Sequence, residues 1–126
     1  MRRIYITCIL SCFISLCHSI TIEEIEKLIA KKSDSVKVEI LDSIAWENRS
    51  NNVDLAFYAI QKSLAISKKF KSKKQYAKGL ITLSKVYGNK KQFDLSIRIA
   101  KESIEQSRRY TNYWYKIVNY CATIVS

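Results

Sequence analysis

The segment Asp54-Leu55-Ala56-Phe57-Tyr58-Ala59-Ile60-Gln61-Lys62-Ser63 returns forty residues later as Asp94-Leu95-Ser96-Ile97-Arg98-Ile99-Ala100-Lys101-Glu102-Ser103. A period of this length is the mark of a repeated supersecondary unit that buries its apolar face on its neighbours. Within the unit, apolar residues recur at steps of three and four, the helical period, and no long alternating segment appears. The chain has no proline and two glycines, too little turn punctuation for an all-β sandwich or barrel. At 48% hydrophobic residues, it is not disordered by composition.

The helices preceding the matched segments repeat as well. Leu41-x-x-Ile44-Ala45 corresponds to Leu80-x-x-Leu83-Ser84 and then to Val118-x-x-Cys121-Ala122. The small residues Ala45, Ala56, Ser63, Ser84, Ser96 and Ser103 fall where paired helices approach closely, since a bulky side chain there forces them apart. An amphipathic N-terminal helix is expected over 21–32, opened by a Thr21-x-x-Glu24 capping box, with Ile22, Ile25, Leu28 and Ile29 on one face. Helices are expected from Val36 to Asn48, from Val53 to Lys69 with Asn52 as cap, and from a second capping box, Ser72-x-x-Gln75, to Tyr87. Gly88-Asn89 reads as a left-handed stop. A helix from Gln92 to Arg109 carries Phe93 in its apolar stripe, and a last one opens at Thr111 and carries Trp114. The fold class is therefore all-α, an antiparallel helix-pair solenoid of about two and a half repeats behind a short N-terminal helix. An unrelated four- or five-helix bundle is the competing arrangement.

Residues 1–19 read as a signal peptide. Met1-Arg2-Arg3 is basic, the stretch from Ile4 to Leu16 is mostly apolar, and Cys17 and Ser19 are small residues suited to cleavage after Ser19. The apolar stretch falls short of the roughly 20 residues a spanning helix needs. An uncleaved anchor and a lipoprotein cut at Cys12 are the alternatives. Cleavage removes Cys8, Cys12, Cys17 and His18, leaving Cys121 and no histidine. One cysteine closes no internal disulfide. Loss of histidine argues against zinc sites and against Ser-His or Cys-His catalysis. The expectation is a non-enzymatic protein without metal or cofactor, with residues 20–35 forming the N-terminal helix and linker and 36–126 the repeats (36–69, 73–109 and a half repeat at 112–126).

Leu80-x-x-Leu83-Ser84-x-x-Tyr87, followed by Phe93-x-x-Ser96 and Ser103, resembles the tetratricopeptide repeat. The first unit, from Leu41 to Ser63 with Ala45 and Ala56, is similar with a turn one residue shorter. Leu80 stands where the family often has Trp, and no proline follows either second helix. A leader followed by such repeats with Ala45-Trp46-Glu47 also resembles the exported repeat region of bacterial sensor kinases and repeat-linked transcriptional regulators. The resemblance implies that the first helix of each pair lines a concave groove that binds a protein or peptide. By register it places Glu39, Asp42, Trp46 and Arg49 there from the first unit, Lys78, Ile81, Lys85 and Asn89 from the second, and Lys116, Asn119 and Thr123 from the third. Asp42 and Trp46 stand where the family's grip on a terminal carboxylate wants Lys and Asn, so that chemistry is not expected. Trp46 lies off the stripe of Leu41, Ile44 and Ala45. It either anchors a ligand in the groove or packs on the N-terminal helix.

Charge is uneven. Residues 20–54 hold eight acidic and five basic side chains, and residues 55–126 hold three and fifteen. The densest run is Lys68-Lys69-x-Lys71-x-Lys73-Lys74, across an inter-helix turn. It suits phosphates, acidic glycans or an acidic peptide, or is a solvated lysine-rich turn. Nucleic acid is not expected for an exported chain without an aromatic-interleaved or zinc motif, nor is a membrane span after leader removal. Tyr110, Tyr113, Trp114, Tyr115 and Tyr120 cluster near the end, where the half repeat would self-associate or dock on a partner. The other functional reading is a sensory or structural fragment of a larger repeat-containing histidine kinase or transcriptional regulator.

Overall fold

The computed structural model describes residues 19–108. Within them the chain is all-helical: α1 (Ile22–Ile29), α2 (Asp34–Asn48), α3 (Val53–Lys69), α4 (Lys73–Asn89) and α5 (Phe93–Ser107). The expected leader, the helix opening at Thr111, and Lys116, Asn119, Thr123 and Cys121 lie outside the described residues.

Each of α2 to α5 packs chiefly on its neighbours in sequence, and α2 also touches α4. The core runs along these seams. Leu41, Ile44 and Ala45 of α2, Leu55, Ala59 and Ile60 of α3, and Leu83 of α4 form one cluster with Ile25 and Ile29 of α1. Ile22 and Leu28, expected on the same buried face of α1, are both 46% exposed. A two-turn helix docked along one edge covers only the strip that Ile25 and Ile29 occupy. Glu26 fixes this docking, accepting hydrogen bonds from Tyr58 Oη and Lys62 Nζ of α3. Lys62 first, then Tyr58, holds the Glu26 carboxyl below its ordinary range.

The small residues sit where the sequence expects them. Ala45, Ala56, Ser63, Ser84, Ser96 and Ser103 are all at most 1% exposed. In the α4–α5 pair the serines also bond across the seam. Ser84 Oγ donates to Ser96 O at 2.9 Å and Ser96 Oγ donates to Ser84 O at 2.7 Å. Ser103 Oγ reaches Ala77 O at 2.8 Å. Each of these three hydroxyls is satisfied by a backbone carbonyl of the facing helix, so close approach strands none of them. Gly79 serves the α3–α4 seam in the same way: a Cβ there would lie 2.8 Å from Leu64 Cδ2.

Helix ends follow local chemistry. The Thr21–Glu24 capping box is complete, and Asn52 Oδ1 accepts from Leu55 N at 3.3 Å. At Ser72 only half the expected box forms. Ser72 Oγ accepts from Gln75 N, but the Gln75 side chain donates to Ser35 Oγ, forty residues back, at 3.4 Å. The expected stop at Gly88-Asn89 is displaced, because α4 continues through Asn89 and the left-handed residue is Lys91, with φ 60°. A Cβ at Gly88 would stand 3.4 Å from Ser96 Oγ, an ordinary contact distance. The α3–α4 turn repeats this geometry at Lys71, with φ 59°. Both turns are Schellman motifs: Ser72 N donates to Ser67 O and Lys71 N to Lys68 O, as Gln92 N does to Tyr87 O and Lys91 N to Gly88 O. Phe93, expected in the stripe of α5, is 60% exposed. It is the first residue of that helix, ahead of the seam that buries Ser96 and Ala100.

A lysine in the left-handed region carries a Cβ penalty of about 1 kcal/mol that glycine avoids. Lys91→Gly is therefore expected to stabilise the fold by about 0.5–1 kcal/mol, net of the greater entropy of an unfolded glycine. Thermal and urea unfolding of the two proteins measures this, and an unchanged or lowered midpoint would contradict it.

Candidate functional site

Two hydrogen bonds define the face shared by α2 and α4. Near their starts Gln75 Nε2 donates to Ser35 Oγ; at their ends Asn89 Nδ2 donates to Arg49 O. Both join residues forty apart in sequence, so α2 and α4 lie side by side and run in the same direction. Six of the eight groove residues expected from these helices lie between these ties: Glu39, Asp42 and Trp46 on α2 and Lys78, Ile81 and Lys85 on α4. Arg49 and Asn89 form the closing tie itself.

Exposure then sorts them. Glu39, Lys78 and Asn89 are exposed, and Ile81, Lys85 and Arg49 are half-buried. Trp46 is 38% exposed, and the Arg49 guanidinium lies 4.0 Å from its ring centroid. That contact holds the cation against the negative π face. Arg49 also donates through Nη1 to Trp46 O, which fixes the guanidinium one helical turn from the indole.

Asp42 departs from the expectation of an open groove residue. It is 5% exposed, and its Oδ1 accepts from Ser63 Oγ of α3. Burial raises its pKa to about 6, against the opposing influence of the Ser63 hydroxyl and the Lys78 charge, with Glu39 adding to the rise. Nothing local in Leu41-Asp42-Ser43 signals this. The partner is Ser63, twenty-one residues on, and only the α2–α3 seam brings the two together.

The face is amphipathic in charge. Glu39 comes from α2, and Lys78 and Lys85 from α4, while Asp42 is buried beneath them. Between them stand an exposed indole and an aliphatic side chain, Ile81. Among the described residues no group of three or more His, Cys, Asp or Glu could hold a metal ion. No helix there is long and apolar enough to cross a membrane.

A carboxyl whose pKa is raised on folding favours the protonated folded state. That stabilisation is complete below its ordinary pKa of 3.8 and is lost as pH rises through about 6. Asp42 should thus make the fold less stable at pH 8 than at pH 4 by up to about 3 kcal/mol. Asp42→Asn, which keeps an acceptor for Ser63, should flatten that decline and unfold at a higher temperature than the parent at pH 8. Melting curves across this range test it, and parallel pH profiles for the two proteins would show that Asp42 does not titrate there.

No protein-family model matches the chain, and neither a curated protein nor a solved structure is significantly similar to it.

Proposed function

We propose that the chain is a non-catalytic tetratricopeptide-like module that binds a protein or peptide along the α2–α4 face, outside the cytoplasm. The observation that carries the reading is the forty-residue register of the two ties, Ser35 to Gln75 and Arg49 to Asn89. It sets the first helix of one sequence repeat beside the first helix of the next. That is how a repeat array builds a continuous binding surface from short units. Trp46 supports it as an anchor: it is an exposed indole with a guanidinium held against it, and Trp and Arg are both enriched at binding hot spots. Lys78 and Lys85 add a basic edge that suits a partner with acidic residues. Export rests on the basic, then apolar, then small-residue pattern of residues 1–19.

A photo-crosslinking amino acid at position 46, in the full-length chain expressed in its native host, should capture a specific protein partner. The same group at Gln61, on the exposed side of α3, should not. With the captured partner purified, Trp46→Ala is expected to weaken binding by about 2 kcal/mol, roughly 30-fold. Charge reversal at Lys78 and Lys85 together should lower the association rate and its salt dependence. Capture from Gln61 but not from position 46 would move the binding surface away from α2 and α4.

A further inference from the structure

The α3–α4 and α4–α5 turns share one backbone but carry different side chains. From the third-last helical residue onward the first reads Ser67-Lys68-Lys69-Phe70-Lys71-Ser72-Lys73 and the second Tyr87-Gly88-Asn89-Lys90-Lys91-Gln92-Phe93. In the second turn Lys90 pairs with Asp54 at 3.2 Å and lies 4.6 Å from the Phe57 ring. The first turn borders a cleft of about 370 Å³, lined by Ser67, Lys68, Lys71, Ser72 and Lys73 from the turn, with Glu102 among the residues completing it from α4 and α5. Among the described residues no carboxylate pairs with Lys68, Lys71 or Lys73.

The second observation is Ser67. It is 1% exposed, and its Oγ is buried without a hydrogen-bond partner. Every other buried serine in these helices donates to a carbonyl or carboxylate. An unsatisfied buried hydroxyl costs about 1–3 kcal/mol, and such a group calls for a specific explanation. Here the residue that carries the orphan donor lines a cleft with three lysines, beside the first turn of the 17-residue helix α4. At that end the first backbone amides have no intrahelical acceptor and the helix dipole favours negative charge.

We infer that this cleft binds a tetrahedral oxyanion, a phosphate or sulfate group, through the Ser67 hydroxyl, the Lys68, Lys71 and Lys73 ammonium groups and the N-terminal end of α4. The left-handed backbone at Lys71 is fixed by the hydrogen bonds of Lys71 N to Lys68 O and Ser72 N to Ser67 O, so the anion meets a preformed turn. Glu102, to which Tyr76 Oη donates at 3.4 Å, is the carboxylate lining the cleft, and it opposes the anion. The site is separate from the α2–α4 face and stands or falls independently of the protein-binding reading.

The test is a titration of the purified chain with inorganic phosphate, with inorganic sulfate and with sodium chloride at matched ionic strength, followed by backbone amide NMR shifts. Saturable shifts centred on Ser67, Ser72 and Lys73 are expected with phosphate, sulfate or both, and none with chloride. A phosphomonoester and a sulfated monosaccharide then separate the two sources of the anion. Ser67→Ala and Lys71→Gln should each weaken binding roughly fivefold to tenfold, and Glu102→Gln should tighten it. Lys91→Gln, in the sister turn, should leave it unchanged. Ser67→Ala also removes the orphan hydroxyl, so its melting temperature should equal or exceed that of the parent while affinity falls. Shifts that never saturate, equal effects of chloride, or a Ser67→Ala protein with unaltered affinity would overturn the site.

Discussion

Close approach of neighbouring helices is the constraint on which the rest of this structure depends. Ala45, Ala56, Ser84 and Ser96 let the helix backbones come near one another, and every later feature inherits that spacing. Replacing a leucine-type side chain by serine at a seam would ordinarily strand a polar group. Here Ser84, Ser96 and Ser103 each find a carbonyl on the facing helix. The α4–α5 seam is consequently held by directional bonds, whereas Ala45 and Ala56 provide space alone on the α2–α3 seam. There Ser63 has taken a carboxylate, Asp42, as its acceptor.

That difference between the two pairs has an electrostatic consequence. A neutral carbonyl acceptor is indifferent to pH, but Asp42 in the same role must either stay protonated or ionise within the seam. Burial favours the former up to about pH 6. The neighbouring Lys78 belongs to α4, so the ionisation state of a group in the α2–α3 seam is coupled to a side chain on the adjoining face. Core and surface are thus electrically linked where α2 and α4 lie together, while Trp46 and Arg49 stack on one another at the C-terminal end of α2.

Much of the fold was legible in the sequence because helix formation is local. The three- and four-residue apolar spacing and the caps at Thr21 and Asn52 each depend on residues within a turn or two of one another, and the forty-residue recurrence repeats such a local pattern. Where expectations failed, distant residues had intervened. Gln75 left its own cap to bond Ser35. The stop expected at Gly88 fell instead at Lys91, where Lys91 N bonds Gly88 O and Gln92 N bonds Tyr87 O. Ile22 and Leu28 stayed exposed because their counterpart surface is narrower than the apolar face of α1. The candidate face was legible only through a family resemblance that assigns register. The orphan hydroxyl of Ser67 had no signal at all, since serine at a helical seam position in this chain is otherwise a satisfied donor.

The sequence by itself determined that the described chain is helical, where most of its helices begin and end, and which small residues stand in the seams. These follow from periodicity, capping and side-chain volume, which act over a few residues. Tertiary structure decided which polar groups are satisfied. It gave Ser63 a carboxylate, gave Ser84 and Ser96 each other's carbonyls, and left Ser67 without a partner beside three lysines. Hydrogen-bond partnership is fixed by how helices pack, and packing joins residues twelve to forty apart with no trace in their local patterns.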